Sequence, residues 1–142
     1  MAYCTQSDLE DQIPNADLVD LTDDAGSGSV DVSVIARSIA DADAEIDSYC
    51  GSRYTVPFSP VPVIIRKYSV DMAIYHLFSR RSVLKVSEER QKRYDSAIRF
   101  LKDVSRSLVN LGADAPAPVN AENQVNIAGN ARIFTREKMS GF

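Results

Sequence analysis

Apolar residues recur at steps of three and four along much of the chain, which is the spacing of one face of an α-helix. The clearest example spans residues 31–49, where the apolar positions are Ile35, Ile39, Ala42, Ile46 and Tyr49. The side chain of Asp31 or Ser33 can cap this helix, and Gly51 would end it. The pattern therefore predicts a long amphipathic helix in the first half of the chain.

Three further segments show the same spacing. A short helix is predicted over residues 7–13, and another from Pro62 to about residue 80. Apolar side chains cover more than half the circumference of the second, so we expect it to be the most buried helix. The last runs from a Ser87 cap to Leu111 and ends at Gly112. The expected fold class is therefore all-α, a small bundle of about four helices.

Two connections join these helices. Residues 15–29 are rich in acidic residues, glycine and serine, and we expect them to form a loop. Residues 52–62 contain three prolines within six positions, which favours an extended crossover.

The composition changes after Gly112 to alanine, proline and asparagine, so residues 113–142 are predicted to be a linker and arm following a helical domain of residues 1–112. Residues 125–128 and 131–134 flank Gly129-Asn130, a weak β-hairpin signal. An isolated two-stranded ribbon is marginally stable in water. Such a hairpin would need to dock on the helices or on another chain.

Charge divides the chain unevenly. Residues 1–50 carry twelve acidic side chains and one basic side chain, whereas residues 51–142 carry eight acidic and fifteen basic ones. Either the two halves neutralise each other within the fold, or acidic and basic surfaces meet between copies. The second case describes a head-to-tail contact, which closes into a ring when the rotation allows.

This charge pattern supplies the candidate subunit interface. The acidic candidates lie on the helix of residues 31–49, the basic ones in the region from residue 80 to 106 of the next subunit, and the apolar ones in the arm. They are Asp41, Asp43, Glu45, Asp47, Arg80, Arg81, Arg90, Lys92, Arg93, Arg99, Ile133 and Phe134. Reversing Arg90, Lys92 and Arg93 to Glu should block assembly without loss of helix. The basic region also leaves open a loose contact with passing DNA.

No segment of the sequence predicts catalysis, a cofactor or a metal site. His76 is the single histidine, with no nucleophile-elbow motif in the chain, and is expected to pack or lie at the surface. The loop with Asp20, Asp23 and Asp24 departs from calcium-loop spacing. Asp71 lies among apolar residues and is a candidate for a structural salt bridge to Arg53 or Arg37. We also expect no signal peptide, no membrane span, and free thiols at both cysteines.

A set of short motifs occurs in a characteristic order along the chain. It comprises Tyr3-Cys4-Thr5, Leu21-Thr22-Asp23-Asp24, Glu45-Ile46-Asp47-Ser48-Tyr49, Arg53-Tyr54-x-Val56-Pro57, Asp71-x-Ala73-x-Tyr75-x-Leu77, Arg93-Tyr94-x-x-Ala97-Ile98 and Arg132-Ile133-Phe134. In this order the chain resembles a family of small Mu-like prophage structural proteins, grouped with the head–tail connector proteins of tailed phages.

The resemblance implies an all-helical core, no enzymatic activity, and a ring between the capsid's portal vertex and the tail. The implied partners are further copies of the chain, the portal protein and a tail or tail-completion protein. The implied location is the virion, and the host cytoplasm during assembly. A small adaptor that binds one protein through the acidic helix face is the alternative.

Overall fold

The computed structural model describes residues 2–81 and 86–113. Five helices form the described part of the chain: α1 (Gln6–Glu10), α2 (Asn15–Thr22), α3 (Val32–Cys50), α4 (Val63–Arg80) and α5 (Glu88–Ser105). The predicted all-α class is confirmed. The predicted arm with its hairpin, including Ile133 and Phe134, lies outside the described residues.

The longest helices, α3, α4 and α5, pack against one another, and α1 and α2 pack on α3 and α4. Apolar side chains from all five helices meet in one core, including Leu9, Leu18, Ile46, Met72 and Leu101, each with no exposed surface. α4 carries buried residues over most of its length, as its apolar circumference predicts.

Side-chain caps begin three of the helices. Asp31 accepts a hydrogen bond from the Ser33 N–H, and Ser87 accepts one from the Arg90 N–H, as two of the predicted caps. α1 begins and ends earlier than the predicted residues 7–13, and it begins at Gln6 because Thr5 forms a reciprocal capping box with Asp8.

The predicted loop over residues 15–29 was wrong in its first half, where α2 forms. Leu18, Leu21 and Thr22 lie on its buried side, at the spacing of one helical face. The Thr22 hydroxyl donates to the Leu18 carbonyl at 2.7 Å. Tertiary packing therefore holds a short helix that the acidic composition of the segment does not favour.

The last helix is shorter than predicted, ending at Ser105 instead of Leu111. Ser107 has a φ of 67°, in the left-handed region. The Ser107 and Leu108 N–H groups donate to the carbonyls of Val104 and Asp103, which is the hydrogen-bond pattern of a Schellman motif. Leu108, which lies within the predicted helix but beyond the observed one, is consequently 72% exposed.

Candidate subunit interface

The four acidic candidates of α3 point in different directions. A spacing of two residues turns a helix by about 200°, whereas a spacing of four returns to the same side. Asp43 and Asp47 therefore share one face, and Asp41 and Glu45 share another. The single acidic helix face expected from the sequence was therefore wrong: Asp43 is 9% exposed, and Asp41 is the one candidate of the four in the exposed class.

Asp43 holds the N-terminal segment against α3 and α4. Its Oδ2 accepts the Tyr3 N–H at 3.0 Å, and its Oδ1 accepts the Ser69 hydroxyl at 2.8 Å. Burial raises the pKa of this carboxyl group, and the two hydrogen bonds oppose the rise. The neighbouring Cys4 thiol is buried, which raises its pKa to about 11. Asp43 thus acts inside the fold.

Asp47 acts on the same segment through the Tyr3 hydroxyl. That hydroxyl donates to Asp47 Oδ1 and accepts the Phe58 N–H at 3.1 Å. Tyr3 is 1% exposed, and its ring lies 5.7 Å from that of Phe58. A single tyrosine therefore joins the N-terminus, α3 and the proline-rich crossover.

Glu45 faces α4 and α5. Its Oε1 accepts the Tyr94 hydroxyl at 2.9 Å, and its Oε2 lies 3.4 Å from His76 Nε2. The buried Nε2 nevertheless makes no hydrogen bond within the described residues, so we regard this approach as a contact and not as a formed ion pair. Tyr75 stacks on Tyr94 with ring centroids 4.0 Å apart. This cluster packs the three long helices together.

Arg80 and Arg81 close the C-terminal end of α2. Both guanidinium groups contact the Asp24 carboxylate, at 2.5 and 2.7 Å. They also donate to the Leu21 and Asp23 carbonyls at 2.7 and 2.8 Å. Hydrogen bonds lower the pKa of Asp24 to about 2, with the larger contribution from Arg80 and the next from Arg81. Part of the charge division is therefore neutralised inside one chain.

The basic residues at the start of α5 also contact side chains of their own chain. Arg90 lies over the Phe78 ring at 4.3 Å, and burial is the main cause that lowers its pKa. Lys92 pairs with Glu88, and Arg93 pairs with Glu89, each at 2.7 Å one helical turn away. Such exposed pairs contribute little to stability.

The predicted ion pair of Asp71 with Arg53 or Arg37 does not form. Arg53 instead donates to the carbonyls of Val104 and Val109, at 3.1 and 3.0 Å. Val104 lies in the last turn of α5 and Val109 beyond it, where carbonyls lack the N–H donor that a continuing helix would supply. Asp71 lies 3.9 Å from Arg93. Arg93 reaches it because residue 71 shares the α5-facing side of α4 with Tyr68 and Tyr75, which pack on α5.

Several charged side chains are exposed and make no ion pair or side-chain hydrogen bond with the described residues. The basic ones are Arg99 and Lys102 on α5 and Arg106 at its C-cap, and the acidic ones are Asp11, Asp17, Asp20 and Asp41. Of these, the candidate list from the sequence contained Arg99 and Asp41. The others could have been found from helical spacing, because residues 99, 102 and 106 follow the three-and-four step.

A family profile described as "Bacteriophage Mu, Gp36" matches residues 3–128. The chain belongs to the Bacteriophage Mu, Gp36 family. It is 29% identical over 115 residues to "Mu-like prophage FluMu protein gp36" of Haemophilus influenzae, across 80% of this chain and 79% of that protein. It is 26% identical over 145 residues to "Gene product J" of Escherichia phage Mu, across 100% and 99%.

Membership of the Gp36 family confirms the Mu-like prophage part of the resemblance found in the sequence. Within the described residues, no three histidine, cysteine, aspartate or glutamate side chains are grouped as metal ligands. None of the described helices is long and apolar enough to cross a membrane. Cys4 and Cys50 are both buried and unpaired with each other, as the sequence predicts.

Proposed function

We propose that this chain is a non-enzymatic structural protein of a phage or prophage virion, acting as a head–tail connector. The observation that carries the proposal is the family match over residues 3–128, together with similarity along the full chain to a gene product of phage Mu. The all-α fold agrees with what connector proteins are expected to have. The chain would work in the virion, after assembly in the host cytoplasm.

The proposed mechanism is assembly into a ring between the portal protein and a tail or tail-completion protein. Exposed acidic residues without an ion pair in the described chain lie on α2, at Asp17 and Asp20, and exposed basic ones on α5, at Arg99 and Lys102, so copies can orient one another electrostatically. Charge complementarity contributes more to orientation and specificity than to affinity. Apolar contacts with neighbours and partners would supply the remaining binding free energy.

The structure changes which residues should be tested for this assembly. Arg90 and Arg93, named from the sequence for reversal to Glu, lie against Phe78 and near Asp71, so their reversal would disturb the fold. Arg80 and Arg81 are likewise engaged with Asp24. Exposed residues further along α5 give a cleaner test.

The alternative function, a small adaptor that binds one protein through the acidic face of α3, receives less support. Asp43, Glu45 and Asp47 make contacts within the chain, which leaves Asp41 as the exposed member of that set. A single exposed carboxylate is a small basis for a dedicated binding surface.

The deciding experiment is size-exclusion chromatography with light scattering, on the full chain alone and mixed with the portal or tail-completion protein of the same genome. We expect a ring, or a complex of fixed stoichiometry with one of these proteins. A connector can also order its interface only on docking, so a monomer alone that binds the portal protein would still support the proposal. A monomer that binds neither protein would contradict it.

A further inference from the structure

The C-terminal half of α5 carries a row of exposed basic side chains. Arg99, Lys102 and Arg106, here called the basic stripe, are spaced by three and four residues and so lie on one side of the helix. None of them forms an ion pair with residues 2–81 or 86–113. They contrast with Lys92 and Arg93, which pair with glutamates of their own helix. The basic stripe is therefore available to a partner.

A surface cleft of about 390 Å³ adjoins the basic stripe, in the groove between α3 and α5. Tyr49, Tyr94 and Ile98 provide its aromatic and aliphatic lining. Its charged lining is Arg99 and Lys102 from the basic stripe, with the carboxylates of Glu45 and Asp95. Aromatic residues surrounded by charged ones are typical of protein-binding surfaces. The cleft adds apolar area that the charges alone lack.

Most of the exposed acidic residues that have no side-chain partner within the described residues lie where α1 meets α2. Asp11 caps the C-terminal end of α1, and Asp17 and Asp20 lie one helical turn apart on α2. All three side chains are exposed and form no ion pair with the described chain. We call these three residues the acidic surface. It carries the opposite charge to the basic stripe and the same number of charged groups.

The two surfaces do not neutralise each other within one chain. α1 and α2 pack against α3 and α4, and α5 is not among their main packing partners. Asp17 acts electrostatically on Arg90, at the beginning of α5. The basic stripe begins nine residues later, about 13 Å further along the helix. Because the acidic surface and the basic stripe are separated on the molecule, each can contact a different neighbouring subunit.

We propose that the basic stripe of one copy and the acidic surface of the next form the head-to-tail interface between subunits. The partner is therefore a second copy of this chain. Such a contact uses different surfaces on the two copies, so it can repeat around a ring. The interface rests on the proposed function. Compared with the seam predicted from the sequence, it replaces the acidic face of α3 by the acidic surface and narrows the basic region of residues 80–106 to the basic stripe.

The test uses charge reversal with rescue. One variant carries Arg99→Glu, Lys102→Glu and Arg106→Glu, a second carries Asp11→Lys, Asp17→Lys and Asp20→Lys, and a third carries all six changes. Self-association is measured by sedimentation at low salt, or in the presence of the portal protein if the wild type needs it. Each of the first two variants should associate at least about 100-fold more weakly, because like charges then face each other.

Rescue distinguishes an interface from a folding defect. An equimolar mixture of the first two variants should associate again, because each supplies the surface that the other lacks, and the six-fold variant should associate by itself. Arg37→Glu and Asp41→Lys are the matched controls, since both residues are exposed on α3 outside the two surfaces. Circular dichroism checks each fold. If a triple variant does not fold, the neutral pair Arg99→Gln and Lys102→Gln should still weaken association, and the controls should not.

The possible outcomes separate the two proposals. Wild-type assembly that is unaffected by both triple reversals would overturn this interface and leave the connector function standing. Failure of the mixture to associate would also overturn it. A basic stripe that binds duplex DNA, with assembly unchanged on its reversal, would assign the stripe to nucleic acid instead. A wild type that stays monomeric alone and with the portal protein would overturn both proposals.

Discussion

At the residue scale, Asp71 has a carboxyl group that the fold keeps largely from water. Its side chain is 7% exposed, and burial raises its pKa, opposed by the more distant charges of Lys67, Arg93 and Arg90. A raised folded-state pKa means that the contribution of this group to stability is fully present below its unfolded pKa, near 3.9. That contribution is lost as pH rises through the folded-state value.

Asp71→Asn should therefore change how stability depends on pH. The variant stays neutral, so we expect it to be more stable than the wild type at pH 7 and to lose this advantage as the pH falls toward about 4. Urea unfolding across that pH range measures the difference. Asp41→Asn, at an exposed site, is the control and should show little change. A variant less stable at pH 7 would mean that Arg93 contributes more than burial costs.

Ser107 has a backbone conformation that suits glycine better. An L-residue in the left-handed region costs about 1–2 kcal/mol, and the greater freedom of glycine in the unfolded chain offsets about 0.4–1 kcal/mol of that gain. Ser107→Gly should thus raise the free energy of unfolding by about 0.5 kcal/mol, measured by urea unfolding. Ser96→Gly, an exposed change within α5, should lower it instead. Equal losses in both variants would show that the Schellman turn gains nothing from glycine.

Residue-level contacts show what the sequence could and could not predict. The caps at Asp31 and Ser87 depend on neighbouring residues: Ser87 was predicted directly, and Asp31 as one of two alternatives with Ser33. The partners of Arg53 and Asp71 depend on helix packing across the chain, and the predicted pairing was wrong. The expectation that Asp43 lies on the same face as Asp41 and Glu45 was wrong for a local reason, because residues two positions apart do not share one face of a helix.

At the element scale, the segment before α1 is fixed to the bundle by Tyr3. Tyr3→Phe removes the hydroxyl that accepts the buried Phe58 N–H and donates to Asp47. An unsatisfied buried donor costs about 1–3 kcal/mol, so we expect a loss of that size in the free energy of unfolding. Chemical denaturation followed by circular dichroism measures it.

Tyr68→Phe is the matched control for this change. The Tyr68 ring lies 4.8 Å from Phe100, and its hydroxyl makes no hydrogen bond within the described residues. Its removal should change the free energy of unfolding by less than about 0.5 kcal/mol. Similar losses in both variants would mean that the Tyr3 hydroxyl has no special role.

Among the elements, α3 and α4 could be predicted closely because their apolar spacing extends over many turns. α2 could not be predicted in the same way, since isolated helices of its length are marginal in water. Its stability comes from Leu18 and Leu21 in the core and from Arg80 of α4, which donates to the Leu21 carbonyl near its C-terminal end. These contacts join residues far apart in sequence. The end of α5 could not be predicted for a local reason: the left-handed position after the helix is usually a glycine, and here it is Ser107.

At the scale of the whole molecule, the charged residues behind the uneven charge distribution divide into two groups, one paired within the chain and one exposed without an ion pair among the described residues. Asp24 meets Arg80 and Arg81 within the chain, so the sequence alternative of internal neutralisation holds for part of the charge. The exposed charges of the acidic surface, where α1 meets α2, and of the basic stripe make no ion pair within the described residues, so they are available for contacts between copies of the chain. The division between these two groups depends on the fold, and counting charges along the sequence cannot supply it.

This division makes the response to salt a test of assembly as a whole. The Debye length falls from about 10 Å at 0.1 M to about 3 Å at 1 M ionic strength, so exposed charges on separate copies lose most of their attraction. The core that holds each copy is apolar and should be unaffected or strengthened. Raising salt should therefore dissociate the assembly while the helical circular dichroism signal stays constant, with sedimentation measured on the same samples. Assembly that persists or grows with salt would show that apolar contacts, and not the charged surfaces, hold the subunits together.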